Sequence, residues 1–205
     1  MLTFEQFLAD SVQRGEAVNT LFEERLFDLV GILHKIASAF TAERIPHEVI
    51  GGLAVLIHVE EANPEHTTLT RDVDLMVQRS DLDRIKLAAA QSGFRFRHVA
   101  GVDMLVYGET ESAKNAIHLI FSGEKVRPHY LLPTPPIEPV RKRIHGKEVM
   151  VIPVTGLVRM KLTSNRDKDR VHIRSMDAAG LITHEVEVGL SPELLSRLKH
   201  IRETE

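Results

Sequence analysis

Apolar positions recur at two different intervals along the chain, and the change of interval divides it. Phe22, Leu26, Val30, Leu33, Ala37 and Phe40 follow one another at three or four positions, which sets them on one stripe of a helix. The stripe suits core packing, and its N-terminal place also suits a homodimer contact or docking onto a partner protein. Beyond residue 45 the period shortens. His47-Glu48-Val49-Ile50 reads as a short strand, Gly51-Gly52 as a tight turn, and Leu53 to His58 as a helix. Val73, Leu75 and Val77 then alternate with Asp72 and Asp74, so the apolar set faces the core while both carboxylates point the same way, with Cα atoms roughly 7 Å apart.

Further along, Ser80 followed by Asp83 looks like a capped helix start, with Leu82, Ile85, Leu87 and Ala89 as the buried face and Gly93 as the stop. Phe94 to Val99, Met104 to Tyr107 and Ala116 to Phe121 read as strands, with Gly108 to Ala113 as a polar turn. The proline-rich run from Pro128 to Pro139 cannot continue a central strand or a helix, because proline lacks an amide donor. It is expected to be an ordered surface connection. Val140 to Ile144 and Glu148 to Ile152 form a hairpin through His145-Gly146-Lys147, and helices follow at Thr155 to Thr163, Lys168 to Ala178, and Pro192 to Arg202 after the cap Ser191. Strands interleaved with helices give an α/β core with a small mixed sheet. The expected organisation is an N-terminal helical segment over 1–44, the core over 45–153 and a C-terminal helical tail over 154–205.

Two features carry candidate chemistry. Paired carboxylates on one strand face can hold Mg2+, which takes one or two protein carboxylates and completes its shell with water and substrate phosphate. Glycines at a strand-to-helix turn let a ligand approach the backbone closely, and the free amides of the helix start attract phosphate. Either feature alone is equally at home as a solvated strand end or an unliganded turn. Together, Val49-Ile50-Gly51-Gly52-Leu53-Ala54 and Thr70-Arg71-Asp72-Val73-Asp74-Leu75 resemble the signature of the DNA polymerase beta-like nucleotidyltransferase superfamily. Downstream, the stretch from Val151 to Asp169 is similar to the segment after the catalytic domain in minimal nucleotidyltransferases, including AbiEii-type toxins. The resemblance spans residues 45 to 180.

The resemblance implies a mixed sheet of nucleotidyltransferase type with flanking helices. It also implies transfer of a nucleoside monophosphate from a nucleoside triphosphate (NTP) to an acceptor hydroxyl on RNA, protein or a small molecule. Asp72 and Asp74 would hold Mg2+ or Mn2+. Gly51, Gly52, Thr70 and Arg71 would line the nucleotide site, with Lys161, Arg166 and Lys168 supplying charge to the triphosphate. Lys161, Arg166 and Lys168 also read as helix-surface charges, Lys168 lying one turn from His172 and Asp169 pairing locally. The chain departs from the pattern twice. Thr68 stands where relatives place an arginine, and His118 stands where active members carry a third carboxylate. With an ordinary pKa of about 6.5, His118 reads as a general base, as a remnant in a protein that only binds nucleotide, or as a hydrogen-bonded strand histidine. The competing functional reading is a weak or inactive nucleotide-binding or partner-binding module, such as one component of a toxin-antitoxin pair.

Composition narrows the field. The chain of 205 residues is 43% hydrophobic, enough for a full core. It has no cysteine, which removes disulfides, thiolate nucleophiles and zinc-thiolate sites. His58, His66 and His98 lack close ligand spacing, which argues against zinc. No apolar run approaches the roughly 20 residues needed to cross a bilayer and no leader pattern opens the chain, so the expected location is cytoplasmic, with no membrane partner. A net charge of -3 gives no overall attraction to nucleic acid. Lys125, Arg127, Arg141, Lys142, Arg143, Lys147 and Arg159 read as a solvated basic face or as a local patch. With no tryptophan and only Tyr107 and Tyr130 as tyrosines, no base-stacking aromatic stands out, and neither the NTP nor the acceptor (tRNA or a protein among the candidates) is specified.

Overall fold

A computed structural model describes residues 26–68, 70, 72–108 and 116–204. Helix α1 runs through 26–42. Strand β1 (His47–Ile50) leads directly into α2 (Gly51–Ala62), followed by β2 (Val73–Val77), α3 (Leu82–Gln91), β3 (Phe94–Val99), β4 (Val102–Tyr107) and β5 (Ala116–Phe121). An irregular strap crosses to the hairpin β6 (Val140–Ile144) and β7 (Lys147–Val151). The chain closes with α4 (Val154–Ser164), α5 (Asp167–Ala178), α6 (His184–Val188) and α7 (Pro192–Glu203).

The strands form one mixed sheet in the order β3-β4-β5-β2-β1-β7-β6. The central β1 pairs antiparallel with β2 and parallel with β7, and β2 pairs parallel with β5. Register fixes a row across the sheet: Ile50 opposes Asp74, Asp74 opposes His118, and His118 opposes Met104. Directly opposed residues share a face, so β1, β2 and β5 each contribute one residue of that row at the same end of the sheet. Val73, Leu75 and Val77 are fully buried and anchor β2 from the other face, as the alternation predicts.

A single hydrophobic cluster joins Leu33, Ile36 and Phe40 of α1, the sheet, and Leu194, Leu198 and Ile201 of α7. Val30, Leu33, Ala37 and Phe40 are buried, so this part of the stripe is core rather than a free docking face; Phe22 lies outside the described residues. The predicted α3 face needs correction. Leu87 is 63% exposed and Ala88 is buried in its place, while the helix starts at Leu82 without a side-chain cap. Most of the predicted Gly108 to Ala113 turn also lies outside the described residues. No helix of the described residues is long and apolar enough to cross a membrane.

Candidate active site

The β1-to-α2 junction is built on close approach. Gly51 has φ +73°, and a Cβ on it would stand 2.0 Å from Asp74 Oδ2. A Cβ on Gly52 would stand 2.5 Å from Thr70 Oγ1. Only glycine permits both contacts, one because of its backbone angle and both because of space. The N-cap Ile50 offers no side-chain bond to the first turn of α2, and no acidic side chain occupies that turn. The amides there are left to a ligand or to water.

This junction opens into a cavity of about 540 Å³. Asp72, Asp74, Gly51, Gly52, Thr70 and His118 line it, as do Lys161, Arg166 and Lys168. Thus β1, β2, β5, α2, α4 and α5 converge on one concavity, bringing together every predicted site residue except Arg71, which lies outside the described residues. Asp72 sits exposed just before β2, and Asp74 is half-buried on it.

His118 Nδ1 lies 3.0 Å from Asp74 Oδ1. That hydrogen bond raises the imidazole pKa above its usual value against the opposing effect of burial, with the charges of Asp74 and Asp72 adding to the rise. The Asp74 carboxylate thus favours the charged form of the ring relative to the ordinary pKa on which the general-base reading rested. The two oxygens of Asp74 divide their roles, Oδ1 facing His118 and Oδ2 facing the notch at Gly51.

The cationic segment is organised around a buried carboxylate. Lys161 Nζ donates to Asp169 Oδ1 at 3.1 Å, Arg166 Nε to Oδ2 at 2.7 Å, and Ser164 Oγ to Oδ2 at 2.7 Å. Burial would push the Asp169 carboxyl up, yet the Arg166 hydrogen bond and the charge of Lys161 outweigh it and hold it at about 2. Burial pulls the Lys161 ammonium below its ordinary value despite Asp169. The surface reading of Lys161 therefore fails: it is 5% exposed, while Arg166 and Lys168 are exposed at the cavity. Asp169 does pair locally, as one of the two readings held.

Several lining residues escaped the sequence reading. The strap puts Arg127, Tyr130, Leu132 and Thr134 on the cavity wall, held there because Thr134 Oγ1 donates to Phe121 O at 2.6 Å and Ser122 Oγ to Pro135 O at 2.9 Å. Tyr130 is an aromatic on that wall, where the sequence singled out none. The basic run does not form one patch. Arg127 lines this cavity, Arg159 lines a separate hollow beside Pro135 and Leu190, and Arg141 to Arg143 lie on the β6 edge. His172, read from sequence as a surface partner of Lys168, is buried at the cavity; its i+3 spacing from Asp169 was the signal that it shares the inward face of α5.

Among the described residues no group of three His, Cys, Asp or Glu side chains could hold a metal ion. A hard cation resting on one or two carboxylates plus substrate phosphate needs no such group, and the cradle that a Cβ on Gly51 would fill beside Asp74 Oδ2 fits that arrangement.

No family model matches the sequence, and no curated protein matches it. Solved structures do match in fold. The antibiotic-resistance factor ANT(2'')-Ia, in complex with adenylyl-2''-tobramycin, aligns with a TM-score of 0.56 at 16% identity, covering 83% of this chain and 97% of that one. An antigenic nucleotidyltransferase-like protein from Paracoccidioides brasiliensis aligns with a TM-score of 0.56 at 14% identity, covering 87% of this chain and 88% of that one. The Megavirus polyadenylate synthase aligns with a TM-score of 0.55 at 9% identity, covering 89% of this chain but only 39% of the synthase. The chain has a mixed α/β fold of nucleotidyltransferase type.

Proposed function

We propose that the chain is a metal-dependent nucleotidyltransferase that moves a nucleoside monophosphate from an NTP to an acceptor hydroxyl. The convergence of Asp74 with the Gly51-Gly52 turn carries this reading, because it joins a cation-binding carboxylate to a phosphate-binding helix start in one cavity. The acceptor oxygen attacks the α-phosphorus, the bond between the α-phosphorus and its bridging oxygen breaks, and pyrophosphate leaves. Phosphoryl transfer needs mainly positioning and charge stabilisation. Asp72 and Asp74 would hold Mg2+ or Mn2+, which when bound neutralises charge on the triphosphate. The Gly51 and Gly52 amides seat the terminal phosphates, Lys168 and Arg166 balance their charge from the rim, and Lys161 adds a buried cation. His118, oriented by Asp74 Oδ1, receives the acceptor proton when its ring is neutral.

The test is incubation with labelled ATP, CTP, GTP or UTP and Mg2+ or Mn2+, with tRNA, proteins or small polyols as acceptors. Incorporation that disappears in His118→Ala supports the transferase and the role of His118; full turnover in that variant contradicts the role. A second reading is favoured by one observation, the imidazole standing on β5 beside Asp74 in place of a third acid. It makes the chain a nucleotide-binding or partner-binding module, such as one component of a toxin-antitoxin pair. Calorimetry showing nucleotide binding without turnover would select it.

A further inference from the structure

His172 projects from α5 into the wall of the cavity and is 8% exposed. Its Nδ1 is buried with no hydrogen-bond partner, and none is found for Nε2 among the described residues. The ring edge that carries both nitrogens faces the diglycine, since Cε1 between them lies 3.6 Å from where a Cβ on Gly52 would stand. Thr70 packs against Gly52 beside it, its Oγ1 2.5 Å from the same Cβ position. Burial, helped by the charge of Lys161, pushes the ring pKa down to about 4, so the side chain is neutral under working conditions and offers one N–H and one lone pair.

A hydrogen bond left unmade on a buried ring is costly, and a ligand that completes it gains by doing so. Nδ1 is closed to solvent, so a ligand reaches the ring through Nε2, and the ring lines the cavity in which the proposed function, on which this inference rests, seats the nucleotide. We propose that His172 is a nucleotide-contacting residue whose N–H donates to an oxygen of the terminal phosphates at Gly51-Gly52, so that it selects triphosphates over monophosphates. A neutral donor suits this position. Lys161 is already tied to Asp169, and another fixed cation would hold departing pyrophosphate more tightly than turnover favours.

The experiment is calorimetry with whichever of ATP, CTP, GTP or UTP the unaltered protein binds best, and with its monophosphate, in the presence of Mn2+. His172→Phe and His172→Gln are compared with the unaltered protein, with thermal melts reporting that each variant folds. In His172→Phe the triphosphate is expected to weaken about tenfold or more while the monophosphate stays within about twofold, and His172→Gln, which keeps an N–H donor, recovers part of the loss. An equal loss for both ligands, or no loss for either, overturns the role of His172 and leaves the proposed function standing. No binding of any triphosphate by the unaltered protein overturns both.

Discussion

One methyl group at Gly51 would fill the space that the cavity needs. A Cβ there would stand 2.0 Å from Asp74 Oδ2, and the backbone has φ +73°. Gly51→Ala is therefore expected to cost about 1–2 kcal/mol in stability from the left-handed backbone and to displace Asp74, abolishing calorimetric binding of Mn2+ and NTP. Unchanged binding would contradict the account of the turn. Glu48 is a second residue with a measurable signature. It is fully buried on β1, and its Oε2 accepts the Glu138 N–H at 3.2 Å while Oε1 has no partner. Burial pushes its pKa from 4.5 up to about 7. The folded protein holds this proton more tightly than the unfolded chain does, so the associated stability is full below about pH 4.5 and is lost as pH rises through about 7. Glu48→Gln, which stays neutral, is expected to exceed the unaltered protein by roughly 2–3 kcal/mol near pH 8.5 in denaturant titrations, the gap closing towards pH 4. A pH-independent difference would contradict that.

At the scale of elements, the turn between α4 and α5 is organised by Asp169, which binds Lys161, Ser164 and Arg166 at once. Asp169→Ala strands a buried ammonium and is expected to cost about 3–5 kcal/mol in urea unfolding, most of it recovered when Lys161→Met is added. A cost below about 1 kcal/mol would show that the network is not buried in solution. The elements themselves were largely legible from sequence. The strands at His47–Ile50, Phe94–Val99, Ala116–Phe121 and Val140–Ile144 have the expected bounds, because each is a short run with a turn signal close by. Helix α6 was not, since five residues are too few to show a period. The strap was read as a connection, but its packing over the cavity depends on Thr134 and Ser122 bonding to distant backbone. No local pattern encodes such bonds, so Tyr130 and Arg127 stayed hidden as site residues.

For the molecule as a whole, α1 and α7 close the same core as the sheet. Phe40 is fully buried in that cluster; Phe40→Ala is expected to lower stability by about 3–5 kcal/mol within one cooperative transition. A separate early transition would instead mark the N-terminal helix as an appendage. What the sequence left open at this scale was the strand order. Alternation says which residues share a face, but not that β2 lies between β1 and β5, and it is that order which sets Asp74 beside both Gly51 and His118. We expect those neighbours to seat a divalent ion and a nucleoside triphosphate. The most direct test is a crystal structure soaked with Mn2+ and NTP. An anomalous peak between Asp72 and Asp74, with phosphate density on the Gly51-Gly52 amides, is the expected result. Nucleotide bound elsewhere, or a Mn2+ peak away from both carboxylates, would contradict it.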